Sequence, residues 1–152
     1  DPFVAPYDFP VAETGVELVP FQRVIEESDF ISLHVPLTPK TRHLIRKDSL
    51  ERMKKTAVII NSARGGIIHE TDLDDALKNG TIAGAVLDVL EHEPPPKDHP
   101  LLKRENCIIT PHIAGLTEES QIRTSVMVSN EVIHELEGRH SICRVNVGRQ
   151  VE

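Results

Sequence analysis

Four side chains with acid–base or ionic chemistry stand just after predicted strands of this sequence. Arg64 follows one apolar run, Asp88 closes the next, Glu93 comes shortly after Asp88, and His112 follows the last apolar run. Ligands of open parallel sheets bind beyond the carboxyl ends of the strands, so residues at these points lie at one edge. The sequence therefore predicts that a guanidinium, a titratable imidazole and a carboxylate partner for that imidazole meet at one edge of a sheet.

The elements that must position these side chains alternate between helices and apolar strands. Thr56 to Asn61 is a β-branched run without polar alternation, which is typical of a strand covered on both faces. Such alternation predicts βαβ units around a mostly parallel sheet, and so an α/β domain. The predicted strands are residues 16–19, 30–35, 56–61, 82–87 and 106–110; the predicted helices are 21–27, 47–54, 71–78 and 117–138.

Composition narrows the class of protein. The chain has 152 residues with 17 Lys and Arg against 24 Asp and Glu, so its formal net charge is −7. That charge repels phosphate, which argues against a nucleic-acid or anionic-membrane binder. No apolar run approaches the ~18 residues that span a bilayer. The two cysteines, Cys107 and Cys143, provide neither a disulfide framework nor a metal-binding pair, and they favour a reducing, cytoplasmic location.

Each candidate residue also has a plain structural interpretation. Arg64 precedes two glycines and could be a solvated loop residue, and His112 could make only local hydrogen bonds. Glu93 precedes three prolines and could be a solvated turn residue. Asp88 is different, because a carboxylate that closes a buried strand needs partners. The remaining histidines of interest have no metal-ligand spacing, and we expect them to be surface residues: His43, His69, His92, His99, His134 and His140.

Three motifs, in order, resemble the NAD-dependent D-isomer-specific 2-hydroxyacid dehydrogenases. They are residues 61–66 (NSARGG), residues 87–89 (LDV) with Glu93-Pro94, and residues 111–115 (PHIAG). Residues 30–38 with Thr41 are similar to the strand and loop that precede these motifs in the family. The resemblance covers nearly the whole chain and fades after Gly138. It implies a parallel-sheet, Rossmann-like dinucleotide-binding domain and an oxidoreductase that acts on a small D-2-hydroxyacid or 2-oxoacid.

The resemblance also implies a role for each catalytic candidate. His112 exchanges a proton with the substrate hydroxyl or keto oxygen, and Glu93 pairs with it and favours the imidazolium. Arg64 grips the substrate carboxylate with its planar donor fork. Asp88 holds the nicotinamide carboxamide of NAD.

Further residues are implied to bind the cofactor. Asp1 matches the acid that takes the adenosine ribose hydroxyls, and a carboxylate there favours NAD over NADP. The loop after the 30–35 strand lines the adenosine side, and two small residues add backbone contacts. With Arg64, Asp88 and His112, the implied cofactor-binding residues are Asp1, His34, Val35, Pro36, Thr41, Ala63 and Gly115.

One family feature is absent from the sequence: it contains no G-x-G-x-x-G loop for the cofactor pyrophosphate. We therefore expect residues 1–152 to be a truncated NAD-binding domain from the C-terminal part of a longer enzyme. The glycine-loop βα unit and the substrate domain are missing, and the tail after residue 138 returns toward that domain. The full-length enzyme is expected to be a homodimer and the fragment alone inactive. The alternatives are a non-catalytic binding or corepressor-type module and a structural remnant.

Overall fold

Four parallel strands form one sheet in chain order, β1-β2-β3-β4, in the computed structural model, which describes residues 4–5 and 13–143. Leu33 is level with Asn61, Asn61 with Leu87, and Leu87 with Ile109, so the carboxyl ends of the strands meet at one edge. This confirms the predicted α/β class with a parallel sheet. The strands are β1 (Phe30–Leu33), β2 (Val58–Asn61), β3 (Gly84–Leu87) and β4 (Cys107–Ile109).

The helices fall close to the predicted segments. They are α1 (Phe21–Glu27), α2 (Lys47–Leu50), α3 (Glu70–Lys78) and α4 (Glu118–Leu136), with a 3-10 helix at Pro100–Lys103. α2 is shorter than the predicted 47–54, because the chain turns after Leu50. α4 begins where the sequence predicts, since the side chain of Thr117 accepts the Ser120 N–H at 3.1 Å.

The prediction of a strand over residues 16–19 is wrong. Residues 16–20 carry no strand, because a short segment of this kind becomes a strand only when a neighbouring strand pairs with it. Within the described residues β1 pairs with β2 alone. Its first residue, Phe30, is 73% exposed.

The core is built from aliphatic residues of the strands and of α3. Ile59 on β2 and Leu73 on α3 are fully buried, as is Ile67 in the loop between them. Val58 and Ile60 on β2 are only partly buried, so one face of this strand is fully covered and the other is covered less than the sequence predicts. Apolar composition alone does not tell a half-covered strand from a fully covered one.

The chain divides into two compact units, Asp1–His112 and Ile113–Glu152. The first holds the sheet, and the second holds α4. α4 has no buried residue, and its apolar side chains are exposed, Leu136 by 83%. None of the described helices is long and apolar enough to cross a bilayer.

Replacement of Leu73 by Ala tests this core. The side chain is 0% exposed, so its loss leaves a cavity and we expect it to cost about 2–5 kcal/mol of the free energy of unfolding. Urea unfolding measures this cost. Leu136→Ala is the matched control, because the same truncation at an exposed position changes stability by roughly 0.5 kcal/mol or less. Equal effects of the two substitutions would contradict the assigned core.

Candidate functional site

His112 and Glu93 form a hydrogen-bonded pair at the carboxyl edge of the sheet. Nδ1 of His112 lies 2.7 Å from Oε2 of Glu93, and the side chains are 51% and 36% exposed. His112 follows β4 in a tight turn, where its N–H donates to the Thr110 carbonyl at 3.0 Å and its φ is +54°. A positive φ is uncommon for residues other than glycine, although histidine adopts it more readily than most, and residues held in this conformation cluster at functional sites. The turn directs the ring toward the loop that carries Glu93.

Both carboxylate oxygens of Glu93 accept hydrogen bonds. Oε2 binds the His112 ring, and Oε1 accepts the Leu90 N–H at 2.8 Å. The bond to His112, followed by the bond to the Leu90 amide, holds the pKa of Glu93 below its ordinary value. Glu93 is therefore a carboxylate at neutral pH, and Nδ1 of His112 is the donor. This leaves Nε2 as the ring nitrogen that could exchange a proton with a ligand.

Asp88 lies beside this pair, at the end of β3. It is 7% exposed, its N–H donates to the Asn61 carbonyl at 2.9 Å, and the hydroxyl of Thr110 donates to its Oδ1. A cavity of about 420 Å³ is lined by Asp88, Glu93 and His112.

The rest of that cavity is largely apolar. Leu90, Leu102 and Ile109 form part of its wall, and Pro94 and Pro95 add to it. An apolar cavity with one buried carboxylate acceptor suits a flat ring that carries an amide donor. The structure thus joins three of the four predicted side chains around one cavity.

Arg64, the fourth, stands on the neighbouring loop after β2. The buried Asn61 side chain shapes this loop, since its Oδ1 accepts the Ala63 N–H at 3.1 Å and its Nδ2 donates to the Arg64 carbonyl at 2.9 Å. The Arg64 side chain is exposed, and its guanidinium donates to the Ala63 carbonyl at 2.7 Å. Arg64 is not among the residues that line the cavity.

The Arg64 loop and the Glu93 loop nevertheless touch through their main chains. A Cβ built on Gly65 would overlap the Leu90 carbonyl and lie 2.8 Å from the Glu91 nitrogen. Only glycine permits this approach. Gly65 adjoins Arg64, and Leu90 donates to Glu93, so the two loops have fixed relative positions at this point.

The residues predicted for the adenosine side lie on the loop after β1. His34 Nε2 is 2.8 Å from the Ser32 hydroxyl, and Thr41 donates to the Pro36 carbonyl at 2.5 Å. Val35 packs against the core. Of the other predicted residues, Asp1 lies outside the described residues, and Gly115 belongs to the second compact unit.

The prediction that the other histidines are surface residues is wrong for His99, whose side chain is 14% exposed. His99 Nε2 is 3.1 Å from Glu70 Oε2, and the partly buried His43 is 3.2 Å from Glu91 Oε1. The sequence contains no spacing signal for these pairs, because each joins residues far apart in the chain. In the part of the chain that the structure describes, no three His, Cys, Asp or Glu residues are grouped so as to hold a metal ion.

Comparison with known proteins gives the same family as the motifs. The family model of the D-isomer-specific 2-hydroxyacid dehydrogenase NAD-binding domain matches residues 1–114. The chain is 50% identical over 121 residues to the glyoxylate reductase of Korarchaeum cryptofilum, which covers 80% of this chain and 36% of that protein. It is 51% identical over 130 residues to the D-3-phosphoglycerate dehydrogenase of Methanocaldococcus jannaschii, covering 84% of this chain and 25% of that protein.

A solved structure of a protein from the same family also resembles this chain. The NAD-complexed D-isomer-specific 2-hydroxyacid dehydrogenase of Lactobacillus delbrueckii ssp. bulgaricus superposes with a TM-score of 0.73 at 36% identity, over 80% of this chain and 41% of that one. The chain thus spans less than half the length of each of these three proteins. Because the family model covers residues 1–114 and the motifs lie on the sheet edge as described, this chain belongs to the D-isomer-specific 2-hydroxyacid dehydrogenases, with their NAD-binding domain.

Proposed function

We propose that this chain is part of an NAD-dependent dehydrogenase that interconverts a small D-2-hydroxyacid and its 2-oxoacid. The observation that carries the proposal is the 2.7 Å hydrogen bond between His112 and Glu93 beside the buried Asp88. A non-catalytic binding module has no need of this pair. Relatives named glyoxylate reductase and D-3-phosphoglycerate dehydrogenase support a small 2-oxoacid or 2-hydroxyacid as the substrate.

The proposed acid–base group is Nε2 of His112. In the direction of reduction it donates a proton to the keto oxygen, and in the direction of oxidation it takes the hydroxyl proton back. Glu93 remains ionised and accepts the Nδ1 hydrogen bond, so it fixes the tautomer and the orientation of the ring. NAD, when bound, supplies or accepts the hydride.

Arg64 is the proposed ligand of the substrate carboxylate. A guanidinium has five N–H donors, so the one bond to the Ala63 carbonyl leaves others for a carboxylate. Its exposure lets the side chain reorient toward a bound substrate. The Asn61 side chain holds the Arg64 main chain, so this movement is confined to the side chain.

The cofactor is proposed to bind across the carboxyl edge of the sheet. Asp88 accepts the N–H of the nicotinamide carboxamide, because its buried carboxylate lines the apolar cavity. The loop with His34 to Pro36 and Thr41 takes the adenosine side, with Ala63 and Gly115 adding main-chain contacts. Asp1 takes the ribose hydroxyls and selects NAD over NADP.

The assembly and location stay predictions. We propose that the full-length enzyme is a homodimer and acts in the cytoplasm, where thiols remain reduced. Cys107 and Cys143 are both free, as that compartment allows.

His112→Ala tests the acid–base assignment. The assay uses a chimera, the graft, in which the segment of this chain that matches the Korarchaeum cryptofilum glyoxylate reductase replaces its counterpart in that enzyme. Loss of the proton donor lowers kcat/KM for glyoxylate by about 10²–10⁴-fold, measured by NADH consumption. His92→Ala is the control, because His92 is an exposed histidine on the same loop as Glu93. A His112→Ala graft as active as the control would refute the assignment.

The chain alone is expected to bind NADH far more weakly than the graft does, because its sequence has no G-x-G-x-x-G loop to hold the pyrophosphate. Titration calorimetry of the 152-residue chain and of the graft measures the difference. Equal affinities would show that this chain needs no glycine loop, and would contradict the expected inactivity of the fragment.

The titration of Glu93 tests the pair without an activity assay. Carbon-detected NMR should give Glu93 a pKa below the ordinary range, and His112→Gln should raise it, because the bond to His112 is the largest cause of the shift. A lowered pKa in the folded state stabilises the fold above the ordinary pKa, and this stability is lost as pH falls through the folded value. A Glu93 pKa that is unchanged by His112→Gln would mean that the hydrogen bond does not form in solution.

A further inference from the structure

The peptide unit between Leu90 and Glu91 is held from two sides by the segment that carries Arg64. Its carbonyl packs on Gly65, where any side chain would overlap it. Its N–H, from Glu91, donates to Oε1 of Glu70 at 2.6 Å. Glu70 is the first residue of α3, a few residues beyond Gly65 in the chain. The two contacts together form what we call the 90–91 clamp.

Glu70 is itself held in place by His99. Oε2 of Glu70 lies 3.1 Å from Nε2 of His99, and the two side chains are only 16% and 14% exposed. A carboxylate this far removed from water needs its hydrogen bonds, and a charged acceptor makes short, strong bonds to main-chain amides. The side chain of Glu91 adds a tie to the loop after β1 through His43, at 3.2 Å.

The clamp bears directly on the acid–base pair. The α-carbon of Leu90 joins the clamped peptide to the preceding peptide, whose N–H donates to Oε1 of Glu93. The orientation of the first peptide therefore limits that of the second. Movement of the clamp would shift the donor that, with His112, holds Glu93.

We propose that Glu70 is a positioning residue, which clamps the Leu90–Glu91 peptide against Gly65 and so fixes Glu93 and His112 relative to Arg64. This inference rests on the proposed function for its effect on catalysis. Glu70 touches neither substrate nor cofactor in this scheme. It acts through the main chain, and it couples the loop after β3 to the loop after β2.

Three substitutions of Glu70 test separately whether the acceptor oxygen must be present and where it must lie. Glu70→Gln keeps an oxygen to accept the Glu91 N–H, Glu70→Asp draws that oxygen back by one methylene, and Glu70→Ala removes it. The matched control is Asp74→Ala on the same helix. Asp74 is also 16% exposed and bonds Arg104 at 2.6 and 2.8 Å, without a bond to the clamped peptide.

In the graft, Glu70→Ala should lower kcat/KM for glyoxylate by about 10²-fold, the effect of misplacing catalytic groups by roughly 1 Å. Glu70→Asp should lose activity in the same direction but less, and Glu70→Gln should retain most of it. Asp74→Ala should lower the melting temperature while leaving kcat/KM close to that of the parent graft. If Glu70→Ala does not fold, the kcat/KM of Glu70→Asp is compared with that of Asp74→Ala instead.

A second readout does not depend on activity. In the 152-residue chain, Glu70→Ala or Glu70→Asp should raise the NMR-measured pKa of Glu93, because its Leu90 donor is displaced, whereas Asp74→Ala should leave it unchanged. If these pKa changes are seen but the parent graft is inactive, the positioning of Glu93 by Glu70 is upheld and the proposed function is refuted. An active parent graft in which Glu70 and Asp74 variants behave alike, in both kcat/KM and the Glu93 pKa, would overturn the positioning role.

Discussion

The level register of the parallel strands is the constraint on which the site depends. Asn61, Leu87 and Ile109 stand side by side at the ends of β2, β3 and β4. The loops that follow these strands therefore begin at the same edge of the sheet, and side chains that are distant in the chain lie close together there. Asp88 is buried directly beyond β3, and His112 follows the turn beyond β4. A shift of one residue in any strand would turn the adjoining side chains to the opposite face.

Contacts of the main chain fix the loop that carries Glu93 more closely than the strand register alone does. The Glu93 loop has no regular structure of its own, yet the Leu90 and Glu91 amides each donate to a carboxylate, and the Leu90 carbonyl packs against Gly65. The two carboxylates thus satisfy main-chain amides that would otherwise need other acceptors. An irregular loop with its main chain bonded in this way can hold a carboxylate as firmly as a strand can.

Much of this arrangement follows from the sequence, and the exceptions have physical causes. Apolar runs and helix signals predict the four paired strands and the helices, because local periodicity reflects burial. Residues 16–19 have strand composition without a strand, since pairing requires a neighbour that composition cannot supply. The positive φ of His112 is equally hidden, because no local sequence pattern marks which histidine adopts it. The ion pairs of His43 and His99 depend on contacts between distant segments, which no local pattern encodes.

The cavity wall and the polar contacts of Glu93 are made by different groups. Side chains such as Leu102, which is 47% exposed, shape the wall, whereas the Leu90 amide and the His112 ring hold the Glu93 carboxylate. Exchange of Leu102 for a smaller or bulkier residue therefore alters the room for a guest molecule and leaves the fixed main-chain contacts intact. Substitution at such a wall position can thus change the size of the molecule that the cavity accepts while the hydrogen bonds of Glu93 are kept.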